Sequence, residues 1–221
     1  MALDLDGPRL PPANGAPPRK LVIFLHGFGA DGNDLIQIGR QWAEALPDAA
    51  FIAPHAPEPC AMGGGGRQWF ELTFRDPGEY WRGVSAAGPG LDRFIDRERD
   101  RYGLSDADVA LVGFSQGTMM ALHVGLRRAG RLGAIVGYSG ALAGGEHLKD
   151  EITHKPPLLL VHGDRDEVIP IHMLFMALQG LTAAETPVEF HISHGIGHGI
   201  DQDGLYMGGH FIASSFAGSR F

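Results

Sequence analysis

A chain of 221 residues that is 44% hydrophobic and 20% charged is too apolar to be disordered and long enough to fold without disulfides or metals. Its formal charge of −8 repels phosphate backbones and argues against a nucleic-acid partner. The 33 glycines and 15 prolines follow no Gly-X-Y period, which excludes collagen and predicts tight turns and long, shaped loops.

One cysteine, Cys60, excludes an internal disulfide and fits a reducing compartment. The first residues, Met-Ala-Leu-Asp-Leu-Asp, have neither the basic nor the apolar region of a signal peptide. No apolar run in the sequence, Leu158–Val161 included, is long enough to span a bilayer. The expectation is a cytoplasmic protein with no membrane span.

Residues 1–19 are rich in Pro and Gly and read as a tail or a short edge strand, and residues 20–221 as one domain. Lys20–Leu25 (KLVIFL) is a continuous apolar run, the pattern of a strand buried on both faces. Asp31 and Asn33 offer N-caps for a helix carrying Leu35, Ile36, Ile38, Trp42, Ala45 and Leu46, which Pro47 stops. Ala49–Ala53 is a short strand. From Pro54 to Arg82 the chain holds Pro54, Pro57 and Pro59, the run Gly63–Gly66 and Trp69, Phe70, Phe74, Tyr80 and Trp81. A long loop of that composition is usually functional. A helix is predicted over Val84–Tyr102, a strand over Val109–Gly113, a helix over Gln116–Arg128, and strands over Leu132–Tyr138 and Leu158–His162. A helix over Ile171–Leu181, a strand over Val188–Ile192 and a Gly-interrupted helix over Gly204–Phe216 complete the chain. Strands alternating with helices predict an α/β fold with a mostly parallel sheet and helices on both faces. Ligands of such sheets bind beyond the carboxyl ends of the strands.

Three strand ends carry chemistry. After Val109–Val112 comes Gly113-Phe114-Ser115-Gln116-Gly117, G-x-S-x-G between a strand and a helix. Glycines two residues either side permit the sharp turn that lifts the Ser115 hydroxyl clear of the sheet. Serine needs a base, and the base an orienting acid. After Leu158–His162 come Asp164 and Asp166, and after Val188–Ile192 come His194 and His198. Asp166 is favoured as the acid, with Asp164 bracing the turn, and His198, between two glycines, is favoured as the base over His194. His26, His55 and His162 also end strands and read as hydrogen-bonded residues at the edge of the site.

Gly27 to Gly32 also spells GxGxxG between a strand and a helix, but no acidic residue ends the next strand to hold a ribose, so a dinucleotide cofactor is disfavoured. The competing reading is a His-Gly-x-Gly turn whose backbone N–H groups point into a site. His194 and His198 have ligand spacing only if helical, which Gly195, Gly197 and Gly199 oppose, and no CxxC or HExxH exists; neither metal nor cofactor is expected. A non-catalytic binding module on the same fold is the other class of function weighed.

The stretches FLHGFG (24–29), RQWFEL (67–72), GFSQGTMMAL (113–122), HGDRDEVIP (162–170) and the segment around Gly195–His198 resemble the bacterial carboxylesterase and acyl-protein thioesterase group, the phospholipase/carboxylesterase family of the α/β-hydrolase superfamily. The resemblance spans nearly the whole chain. It implies an α/β-hydrolase fold, Ser115 as nucleophile, His198 as base, Asp166 as its partner, and an oxyanion hole from the backbone N–H groups of Phe28 and Gln116. It also implies that Trp69 and Phe70 shape the acyl site, with Met62 a further pocket candidate on the Gly-rich loop. Substrates would be small esters or thioesters, and a homodimer is an open possibility. Thr118, where many eukaryotic relatives carry glycine, and the Gly63–Gly66 run favour the bacterial esterase branch.

Overall fold

The computed structural model describes residues 4–73, 76 and 78–218. The continuous apolar runs form the middle of a seven-stranded sheet. In chain order its strands are β1 (Arg9–Leu10), β2 (Lys20–Leu25), β3 (Ala49–Ile52), β6 (Val109–Phe114), β7 (Ala134–Tyr138), β8 (Leu158–Gly163) and β9 (Glu189–Ser193). Across the sheet the order is β1-β3-β2-β6-β7-β8-β9. Every pairing is parallel except β1 with β3. The carboxyl ends of β6, β8 and β9 therefore open on one edge, as the alternation of elements predicts.

Successive residues of a strand face opposite ways, so each central strand supplies both layers. Leu21, Ile23 and Leu25 of β2 belong to one core cluster and Val22 and Phe24 to the other. Helices α2 (Glu79–Arg101), α3 (Gln116–Gly125) and α5 (His172–Ala183) pack on the first face, while α1 (Gly32–Trp42) and α6 (Gln202–Phe216) cover the second. A short α4 (Gly145–Glu151), absent from the sequence-based expectation, follows Gly144 and buries Leu148.

Asp31 caps α1 by accepting the Asn33 N–H at 2.7 Å. Asp201 caps α6 by accepting the Gly204 N–H at 2.9 Å, and the same oxygen takes the Ser193 hydroxyl at 2.9 Å, fixing the helix to the end of β9. Gly208 and Gly209 do not break α6. A side chain at Gly208 would strike the Tyr138 hydroxyl, so the glycine lets the helix lie close on the sheet.

The segment from Pro54 to Arg82 is more ordered than the expected loop. β4 (Glu58–Pro59) and β5 (Arg67–Gln68) form an antiparallel pair with Gly63–Gly66 at its tip, and α2 starts inside the segment at Glu79. Tyr80 and Trp81 are thus helical, and Phe74 lies outside the described residues. The pair is tied to the turn after β2: Gly29 donates to the Arg67 carbonyl at 2.9 Å and Arg67 N–H to the Ala30 carbonyl at 2.8 Å. The Arg67 guanidinium in turn holds the carbonyls of Ala56 and Pro57. The Arg97–Arg101 charge run is engaged in pairing, with buried Glu98 flanked by Arg9, Arg97 and Arg101.

Candidate active site

Ser115 stands between β6 and α3 at φ 53°, ψ −117°, a conformation that costs a non-glycine residue about 1–3 kcal/mol. The turn is possible because its flanks lack side chains. A Cβ at Gly113 would strike the Gly117 carbonyl, and one at Gly117 would strike the Leu25 carbonyl. The Ser115 N–H donates to the Tyr138 carbonyl at 2.9 Å, and the Thr118 hydroxyl donates to the same oxygen at 2.8 Å. The strained turn is thereby fastened to β7 from two sides. Only 8% of Ser115 is exposed.

The two acids and two histidines that follow β8 and β9 sort into separate pairs. His198 Nδ1 lies 2.8 Å from Asp166 Oδ2. The other oxygen, Oδ1, accepts the N–H groups of Val168 at 2.9 Å and Ile169 at 2.8 Å. The Asp166 side chain is fully buried and its carboxylate can only accept, so His198 carries its proton on Nδ1 and Nε2 is the basic nitrogen. His162, also buried, donates from Nε2 to the Ile169 carbonyl at 2.7 Å and stands 3.5 Å from Asp166 Oδ2. His194, in contrast, is 86% exposed and pairs with Asp164 at 3.0 Å. Asp164 also accepts the Gly195 N–H at 2.7 Å, and the His194 contact holds its carboxyl below the usual range. Asp164 thus braces the histidine loop at its rim.

The His198 ring packs on that of Phe114, centroids 4.9 Å apart, directly before Ser115 in the chain. Two further contacts hold the histidine loop. Ser139, itself at φ 45°, donates its hydroxyl to the Gly199 carbonyl at 3.1 Å, and Arg165 N–H donates to the Ile196 carbonyl at 2.9 Å. Neither Ser139 nor Phe114 was singled out from the sequence, although Tyr138-Ser139-Gly140 ends a strand on the same sheet edge.

The His26-Gly27-Phe28-Gly29 turn abuts the Ser115 turn: a Cβ at Gly27 would sit 3.2 Å from the Ser115 Cβ. His26 is buried, and burial pushes its pKa down, so it is neutral. Its Nε2 accepts the Ala56 N–H at 3.0 Å, so its proton is on Nδ1 and goes to the Gly27 carbonyl at 2.8 Å. His55 accepts the Gly32 N–H at 3.2 Å. Gln116 opens α3, where main-chain N–H groups have no intrahelical acceptor. Its side chain points away from that role. Oε1 accepts the Trp69 N–H at 2.9 Å and Nε2 donates to the Phe70 carbonyl at 2.8 Å. The Trp69 indole donates to the His26 carbonyl at 2.9 Å. This Gln116–Trp69–His26 chain locks the aromatic segment, the Ser115 turn and the glycine turn into one unit.

The three pocket candidates are not brought together. Met62 is 79% exposed at the tip of the β4–β5 pair, while Trp69 and Phe70 are buried in the core below the turns. Among the described residues no group of three or more His, Cys, Asp and Glu side chains is arranged to hold a metal. His194 and His198 each face their own aspartate. The helix terminus that a dinucleotide pyrophosphate would need is capped by Asp31. Among the described residues no helix is long and apolar enough to cross a membrane.

The profile of the Phospholipase/Carboxylesterase family matches residues 12–216. The chain belongs to this family. Within the phospholipase/carboxylesterase family it is 27% identical to Esterase YpfH of Escherichia coli over 84% of this chain and 78% of that one. It is 28% identical to Acyl-protein thioesterase 1 of Saccharomyces cerevisiae, covering 91% of this chain and 95% of the yeast protein. Among solved structures, esterase PE8 superposes with a TM-score of 0.91 at 43% identity, over 95% of this chain and 98% of the other. The phospholipase/carboxylesterase assignment carries with it the α/β-hydrolase superfamily and the mostly parallel sheet already described.

Proposed function

We propose that this hydrolase cleaves carboxylic esters of short to medium acyl chains through an acyl-serine intermediate on Ser115. The observation that carries the proposal is the Asp166–His198 pair packed beside the strained serine turn, at the carboxyl edge of the sheet. In this reading His198 Nε2 takes the Ser115 proton as Oγ attacks the carbonyl carbon. The C=O bond gives up its π pair to the oxygen, and the main-chain N–H groups of Phe28 and Gln116 hold the resulting oxyanion. His198 then passes its proton to the leaving alcohol. Water, activated by the same imidazole, releases the acid and restores the serine. Asp166 never becomes protonated; it fixes the tautomer and stabilises the imidazolium.

The backbone donors bind charge only if their turn is rigid, which gives the Gln116 side chain, Trp69 and His26 a positioning role. Trp69 and Phe70 shape the acyl site from beneath in this proposal, and Met62 meets substrate at the rim. The domain is residues 20–221, preceded by a segment that adds the β1 edge strand.

Thioester hydrolysis is the second reading. The yeast relative favours it, and the chemistry differs only in the leaving sulfur. The proposal also places the enzyme in the cytoplasm, which the single buried Cys60 suits, and allows a homodimer through exposed apolar residues such as Met62, Phe175 and Met176. Hydrolysis of p-nitrophenyl esters from acetyl to palmitoyl, with matched acyl-coenzyme A thioesters, tests the substrate class. A maximum of kcat/KM at acetyl to hexanoyl esters supports the proposal. A maximum at palmitoyl, or a preference for the thioester at every length, overturns it in favour of the second reading.

A further inference from the structure

A second cleft is lined by none of Ser115, Asp166 and His198. It lies where the C-terminal half of α3 meets α2 and α4, has a volume of about 430 Å³, and is walled by Trp81, Ser85, Pro89, His123, Arg127 and Glu151. His123 is eight residues along α3 from Ser115, about 12 Å of helix rise.

Its polar groups are incompletely matched. His123 Nδ1 and Arg127 Nη2 are both buried and have no partner among the described protein atoms. The rest of the Arg127 guanidinium is engaged. Nε meets Glu151 at 2.7 Å and Nη1 meets the His123 carbonyl at 3.3 Å. Pro89, inside α2, has no N–H to offer the Ser85 carbonyl one turn earlier. Leaving a buried cationic N–H unanswered is costly, and two such atoms facing one cleft call for a partner.

The walls also state the shape of the missing partner. The Trp81 indole has His147 stacked 4.4 Å away, the Arg127 guanidinium 5.2 Å from its centroid and the His123 ring edge-on at 5.4 Å. Burial, reinforced by Arg127, lowers the His123 pKa to about 4, so near neutral pH the imidazole is uncharged and can donate from Nδ1. An acceptor with two oxygens would meet one cationic and one neutral donor.

We propose that this cleft binds a small carboxylate with a flat apolar body, its oxygens on Arg127 Nη2 and His123 Nδ1 and its body on the Trp81 indole. The site is separate from the ester site, and the proposal does not depend on the roles given to Ser115, His198 and Asp166.

The chain supplies its own reporters. Its three tryptophans occupy three different places: Trp81 in this cleft, Trp69 with its indole N–H on the His26 carbonyl beside the nucleophile turn, and Trp42 in a cleft between α1 and α6. Benzoate titrated into ¹⁵N-labelled full-length protein, with indole resonances assigned by single Trp→Phe variants, is the test. The expected result is a saturable shift of the Trp81 indole with a Kd of about 1 mM. Arg127→Met should weaken it by about tenfold or more, and benzyl alcohol, of the same shape without the carboxylate, should be weaker by a similar factor. Should Arg127→Met fail to fold, Ser85→Phe fills the cleft from an exposed helix position and should abolish the Trp81 shift. Saturation seen only at Trp69 or only at Trp42, a Trp81 shift that never saturates, or equal binding of benzyl alcohol would each overturn the proposal.

Discussion

Ser115→Ala is expected to keep the fold and lower kcat toward p-nitrophenyl acetate by about a million-fold, the scale of loss when a serine hydrolase loses its nucleophile. The fold is expected to survive because the turn does not depend on the hydroxyl. It is built by the absence of side chains at Gly113 and Gly117 and by the Ser115 N–H bond to Tyr138. Far-ultraviolet circular dichroism and a melting curve check the fold, and steady-state kinetics the activity. Ser115→Gly sharpens the comparison. Glycine takes φ 53° without the steric cost, so this variant should be as inactive as alanine yet unfold at a higher temperature, by about 1 kcal/mol of stability net of chain entropy. A serine at a strained turn that served only structure would give the opposite pattern. Substitution would then alter stability and leave turnover largely intact.

The second large effect concerns the choice between the two acids. Asp166→Asn should reduce kcat by about ten-thousand-fold with little change in KM, because an amide that donates toward His198 Nδ1 forces the proton onto Nε2 and removes the base. The isosteric side chain can still accept the Val168 and Ile169 N–H groups through its oxygen, so the loop should hold. Asp164→Asn is the matched control. Its partner His194 is exposed, and exposed pairs contribute little, so activity should fall by less than about tenfold. If Asp164→Asn proved the more damaging of the two, the roles of the pairs would have to be exchanged.

Much of the fold was legible because both-face burial writes itself as unbroken apolar sequence. Lys20–Leu25, Val109–Val112 and Leu158–Val161 could be read as strands with no neighbour information. Helix ends were less legible. Tyr80 and Trp81 looked like loop aromatics because the residues before them are rich in Pro and Gly, yet α2 begins at Glu79, whose carboxylate takes the Thr73 N–H at 2.9 Å and hydroxyl at 2.7 Å. Helix α4 was invisible because GEHLKDE buries only Leu148 and shows no apolar period. Gly208 and Gly209 read as interruptions because the sequence does not show that Tyr138 and Trp42 press against them.

The candidate site divides along the same line. Ser115, the two acids and the two histidines were readable because they follow three strands, β6, β8 and β9, and a parallel sheet brings such ends to one edge. Which acid meets which histidine depends on two loop conformations, and those are fixed by long-range bonds such as Ser139 to Gly199 and Arg165 to Ile196. The buried Gln116 side chain, holding Trp69 and Phe70 through their backbones, had no sequence signature beyond its place beside the serine. Trp69 and Phe70 stood out by aromatic density; that they lie buried, tied through Gln116 and His26 to the two turns, is a placement residue type alone does not show.

The most direct measurement is to label the enzyme with a fluorophosphonate and locate the adduct by mass spectrometry of its peptides. A nucleophile activated by His198 should take up one equivalent, on the peptide bearing Ser115, with labelling lost in Ser115→Ala and slowed sharply in Asp166→Asn. An adduct on another residue, or no adduct on a folded protein that still hydrolyses p-nitrophenyl acetate, would contradict the assignment of Ser115 as the nucleophile.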